Sequence, residues 1–176
     1  MKFSNSLKFV YGLLIAVLAF GAFAAPSAYA APKGPTILDV AKAANAQTGE
    51  FSILIAAINA ADPSVARTLS GNGQFTVFAP TDAAFVSLLD ELGLTAEQLL
   101  GNQALVTKVL LYHVVRGNRD SAAILDSSRI RTLERGFVFQ SGGVLTDANG
   151  RTANIIATDI KASNGVIHVI DRVVLP

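Results

Sequence analysis

A chain of 176 residues without a single cysteine excludes a disulfide-held scaffold, a thiolate metal site, thiol catalysis and a lipid-modified cysteine anchor. Its 14 basic and 13 acidic residues, net charge +1, supply no global basic field of the kind nucleic-acid binding draws on. The length suits one sizeable hydrophobic core and is too short for two ordinary domains.

Residues 1–30 predict a secretory signal. Lys2 and Lys8 precede an apolar run from Phe9 to Phe23, and Ala28-Tyr29-Ala30 has the small-x-small form of a cleavage site. No basic stop-transfer cluster follows, so the expectation is cleavage before Ala31 and no membrane span in the mature chain. The signal removes two basic residues and no acidic one, leaving 12 against 13, net −1. Export places the protein outside the cytoplasm, extracellular or periplasmic, where it must be stable without disulfides.

Residues 31–35 read as a linker and residues 36–176 as one domain. Ile37, Val40, Ala41 and Ala44, then Phe51, Leu54, Ile55 and Ile58, recur at helical spacing and predict two amphipathic helices, the second ending at Asp62-Pro63. Gly71-Asn-Gly73 is a turn, Phe75 to Ala79 a strand closed by Pro80, and Thr81 or Asp82 the cap of a helix whose stripe is Phe85, Leu88, Leu89 and Leu92. Thr95-Ala-Glu-Gln98 is a capping box, and Asn102 caps a helix carrying Leu105, Val109 and Tyr112 on one face. From Arg129 onward strands dominate, punctuated by Gly142-Gly143, Asn149-Gly150 and Asn164-Gly165. The run Val166 to Leu175 suits a strand covered on both sides. Helices mostly first and strands mostly last predict an α+β domain.

Three ordered blocks, Phe75 to Phe85, Leu110-Leu-Tyr-His-Val-Val115 and Asn164 to Pro176, resemble the signature blocks of the fasciclin (FAS1) family. The resemblance runs from about Thr36 to Pro176. It implies a wedge of antiparallel β-strands with several short α-helices packed on it, and a non-enzymatic role in adhesion to a cell-surface or matrix protein or polysaccharide. Some algal members of the family carry carotenoids, which implies a second possibility, a carrier of a hydrophobic small ligand.

The residues offer few sites. His113 and His168 are the only histidines, and without a third ligand they predict buried, hydrogen-bonded rings rather than a metal site. Asp82 reads as a helix cap and Asp171 as hydrogen-bonded structure. No hydrolase elbow, P-loop, dinucleotide-binding glycine pattern or His-Glu-x-x-His is present, so neither catalysis nor a cofactor is expected. Arg116, Arg119, Arg129, Arg131 and Arg135, with Asp120, Asp126 and Glu134 interspersed, read as a solvated mixed surface. The resemblance implies partner contacts at two places: Asp159-Ile160, which stands where integrin-recognition motifs lie in animal relatives, and Tyr112-His113, part of another adhesion motif. A strand for the first pair and core packing for the second are the simpler readings.

Overall fold

A computed structural model describes residues 33–176; the expected signal over residues 1–30 lies outside them. The N-terminal half is helical: α1 (Ile37–Thr48), α2 (Ser52–Ala60), α3 (Pro63–Ser70), then, after strand β1 (Phe75–Pro80), α4 (Asp82–Leu92), α5 (Ala96–Leu100) and α6 (Gln103–Tyr112). Strand β2 (Val114–Arg116) and the short α7 (Ser121–Leu125) lead into β3 (Arg129–Arg131), β4 (Phe137–Ser141), β5 (Val144–Thr146), β6 (Thr152–Ala162) and β7 (Gly165–Ile170). Among the described residues no helix is long and apolar enough to cross a membrane.

Short polar side chains set the helix starts. Thr36 and Asp39 form a reciprocal capping box on α1, Thr81 caps α4 through the Ala84 amide, and Thr95 with Gln98 boxes α5. Asn102 and Asp120 cap α6 and α7. Helix α3 went unread in the sequence. Asp62-Pro63 ends α2 as expected but also begins α3, because Asp62 accepts from the Ser64 amide at 2.8 Å and proline's fixed φ suits a first helical position.

The strands form one sheet in the order β2-β1-β7-β6-β5-β4-β3. A bridge from Val115 to Thr132 brings its two ends together. Here the fold departs from an all-antiparallel wedge: β1 and β7 pair in parallel from Phe75↔Gly165 to Pro80↔Ile170, so the sheet is mixed. Helices α4 to α7 and strands β2 to β6 lie between the two strands, and a parallel pair needs such a long connection. The closing strand also ends at Ile170, earlier than expected. Asp171 and Arg172 make a bend there, and Val173 and Val174 return to the core.

Alternation along this central pair splits the core in two. Val77, Ala79, Ile167 and Val169 pack against the helices with Leu54, Ile58, Val65, Phe85 and Leu110. Phe78 and Ile170 turn the other way, onto Tyr112, Ile130, Val138 and Leu145 inside the curled sheet. Each fully buried aliphatic or aromatic side chain contributes about 1.5–3 kcal/mol. All six residues of β7 are buried, as its apolar run predicts.

Asn164 ties the layers together. Its side-chain oxygen accepts from the Ile37 amide at 2.8 Å, its Nδ2 donates to the carbonyls of Leu69 at 2.9 Å and Gly71 at 2.8 Å, and its backbone carbonyl accepts from Phe75. The next residue, Gly165, has φ +153°, and a Cβ there would lie 1.8 Å from the Phe75 carbonyl oxygen. Residues expected to be linker are docked as well: the carbonyls of Gly34 and Pro35 accept from Ser163.

Candidate functional site

Tyr112 and His113 sit where α6 passes into β2, and both are buried. The Tyr112 hydroxyl donates to the Phe137 carbonyl at 2.6 Å and accepts from the Ala148 amide at 3.2 Å. His113 Nδ1 lies 2.7 Å from the Val109 carbonyl, and its Nε2 is 3.3 Å from the Val174 amide. An amide can only donate, so Nε2 accepts and Nδ1 carries the proton. Burial pushes the His113 pKa down to about 4 and outweighs the Val109 hydrogen bond, so the ring is neutral near pH 7. Tyr112 packs inside the curled sheet, and His113 is buried on the helix side beside Leu54, Ile58 and Leu110.

Asp159 and Ile160 lie far along β6, and Asp159 is no ordinary strand residue. Its φ is +61°, in a stretch where the register against β7 shifts between Ala157 and Ile160. Aspartate tolerates this conformation better than most side chains. The carboxylate accepts from the Ser121 amide at 2.8 Å and the Ser121 hydroxyl at 2.5 Å, joining Asp120 at the start of α7. These bonds to Ser121 hold its carboxyl below the usual carboxylate range. The Asp159 amide points at His168 Nδ1 at 3.4 Å, while His168 Nε2 lies 2.9 Å from the Arg119 carbonyl. Thr76, fully buried, donates to the Gly117 carbonyl and accepts from the Arg119 amide, both at 2.8 Å.

Asp159 is thus a residue of β6, as the strand expectation has it, and also a clasp between β6 and α7 through the bonds of its carboxylate to Ser121. Ile160 beside it remains 36% exposed.

The other carboxylates single out structure too. Asp82 does not cap its own helix, which Thr81 does; it accepts from the Ser52 and Ile53 amides of α2. Asp171 receives both the backbone and side-chain amides of Asn154 at 2.7 Å. Buried Asp147 accepts from Asn149, Arg151 and Leu175 amides. Among the described residues no group of three or more His, Cys, Asp or Glu could hold a metal ion.

Two surface features went unread in the sequence. Between α2, α4, α5 and α6 lies an apolar pocket of about 350 Å³ lined by Ala57, Phe85, Leu88, Leu99, Leu105 and Val109, among others, with no titratable group in its wall. Leu92 and Leu105 at its walls are 45% and 37% exposed. The second is the outer face of β3 and β4, where Arg129 lies with its guanidinium carbon 4.4 Å above the Phe137 ring. The Leu stripes and the arginine cluster were their only sequence signals.

Comparison with known proteins gives this geometry a family. The Fasciclin domain model matches residues 49–176. The chain is 42% identical to protein sll1483 of Synechocystis, over 80% of this chain and 73% of that protein. It is 31% identical to the immunogenic protein MPB70 of Mycobacterium bovis, over 86% of this chain and 69% of the other. Against the pig transforming growth factor-beta-induced protein ig-h3 identity is 36%, over 82% of this chain but only 20% of that much longer protein. A FAS1 domain pair from the insect cell adhesion molecule Fasciclin I shares the fold, with a TM-score of 0.58 at 19% identity, over 73% of this chain and 46% of that one. The chain matches the family over residues 49–176 and has its α+β FAS1 fold, and the protein belongs to the fasciclin family.

Proposed function

We propose that this protein is an exported, non-enzymatic binding module that attaches to a cell-surface or matrix protein or polysaccharide. The observation that carries this reading is the use made of its ionisable interior. His113, His168, Asp147 and Asp159 each hold backbone groups in place, so a general acid or base poised over an open cleft has no candidate among them. The N-terminal signal read in residues 1–30 supports export, and the shared fold with a cell adhesion molecule supports attachment. A single copy of such a module gains strength through many copies on one surface. Co-sedimentation of the purified domain with envelope and extracellular material from its own cells tests this. Saturable retention is expected, and a protein left wholly in the supernatant would overturn the proposal.

A second reading, a carrier of a hydrophobic small ligand such as a carotenoid, is favoured by the apolar pocket between α2, α4, α5 and α6. Protein isolated from its native source would then show a visible absorption band co-eluting in gel filtration. Leu105→Glu, at the pocket's exposed wall, would lose that band without unfolding. Colourless protein with no extractable lipid rules the carrier out.

A further inference from the structure

We propose that the outer face of β3 and β4 binds an acidic polysaccharide, one whose sugar rings carry carboxylate or sulfate groups. This rests on the binding-module reading and names its partner class. Ile130, Val138 and Gln140 point into the curled sheet, so alternation puts Arg129, Arg131, Phe137 and Phe139 on the outside. The register sets Arg129 opposite Phe139 and Arg131 opposite Phe137. Across the next strand the outward positions are uncharged: Thr146 beside Phe139 and Val144 beside Ser141.

Arg129, Arg131 and, in the following turn, Arg135 enter no ion pair among the described residues. The nearby acids have other tasks: Glu134 accepts from the Gly136 amide and lies 4.0 Å from Lys108, and Asp120 caps α7. Asp126 alone of the three interspersed carboxylates has no such bond among the described residues.

The aromatic residues narrow the ligand. Phe139 is 48% exposed, a bare ring on which the C–H face of a sugar can lie. Arg129, stacked on Phe137, is held with its planar donors free to take a carboxylate or sulfate in bidentate fashion. Nucleic acid calls for several stacking rings along a continuous basic groove. Here one ring of two is already covered. A neutral glycan would leave the arginines without a role.

Affinity electrophoresis of the mature domain through gels containing alginate or dextran sulfate tests the face, with uncharged dextran and an oligothymidylate as comparisons. Retardation is expected in at least one acidic gel, weakening with salt, and none in dextran. Arg129→Gln with Arg131→Gln should raise the dissociation constant about tenfold or more, since charge-assisted bonds to both are lost. Phe139→Ala should raise it by several-fold, with urea midpoints of all variants unchanged. No retardation in either acidic gel, equal retardation in dextran, variants that bind as before, or tighter binding of oligothymidylate would each overturn the proposal. Where the charge variants still sediment with native envelope material, this face is wrong and the binding module stands; where even the wild type fails to sediment, the module reading itself fails.

Discussion

The carboxylate of Asp82, the first residue of α4, lies 2.8 Å from the amide of Ile53 at the start of α2, and 3.1 Å from that of Ser52. Helix α2 has Phe51 before it, a residue with no side chain able to cap, and borrows its cap from another helix thirty residues on. Asp82→Ala should therefore cost about 1–2 kcal/mol in urea unfolding. The exchange of the α2 amides should rise more than that of α4, which keeps Thr81. Equal loosening of both helices would mean that Asp82 acts on its own helix instead.

Gly165 admits no side chain. Its φ of +153° and the 1.8 Å separation of a Cβ from the Phe75 carbonyl oxygen act together. An alanine must push β1 away from β7 at the first pair of their parallel ladder. Gly165→Ala should destabilise by on the order of 3 kcal/mol or prevent folding. Gly142→Ala is the control: its φ is +58° and nothing lies within 4 Å of an added Cβ, so its cost should stay near 1 kcal/mol. Similar midpoints for the two variants would show that the strands can separate there without penalty.

How far these features can be read from sequence depends on their range. The caps Thr81, Thr95 and Asn102 and the hairpin at Gly142-Gly143 act within four residues, and each stands where the sequence predicts it. Helix α7 carries a legible cap in Asp120, but five residues are too few to display a period. The parallel pairing of β1 with β7 and the reach of Asp82 to α2 are set by packing across the domain, which no local pattern encodes. The same holds for Asp159: its aspartate-isoleucine pair reads as strand and lies in β6, but the register shift and the bonds to Ser121 have no local signal. A leucine stripe shows which face of α4 turns inward, and says nothing about whether α5 and α6 close the gap beside it.

His113 makes stability depend on pH in a window of its own. Its pKa is about 4 in the folded chain against 6.5 when exposed, so the unfolded chain binds the proton first. Stability is complete above about pH 6.5 and falls by about 1.4 kcal/mol per unit as pH drops toward 4, about 3 kcal/mol in all. Asp39 and Asp62, whose folded pKa values lie below 3.8 through their bonds to Thr36 and Ser64, lose their contributions only at still lower pH. Urea midpoints between pH 7 and 4 should show the slope in wild type, and His113→Gln should flatten it. A slope unchanged in that variant would assign the titration to another group.

Asp159 deserves two substitutions, because a single one confuses two roles. Asp159→Ala removes both acceptors from Ser121 and puts a residue poorly suited to φ +61° into β6. Asp159→Asn keeps one acceptor and tolerates the same backbone conformation. Amide exchange in α7, from Ser121 to Leu125, should rise about tenfold or more in the alanine variant and much less in the asparagine variant. If the clasp is what matters, binding to native surface material follows the exchange data and asparagine largely restores it. If asparagine restores protection in α7 while binding stays lost, the charge of Asp159 meets the partner directly, and Ile160 beside it becomes the next residue to replace.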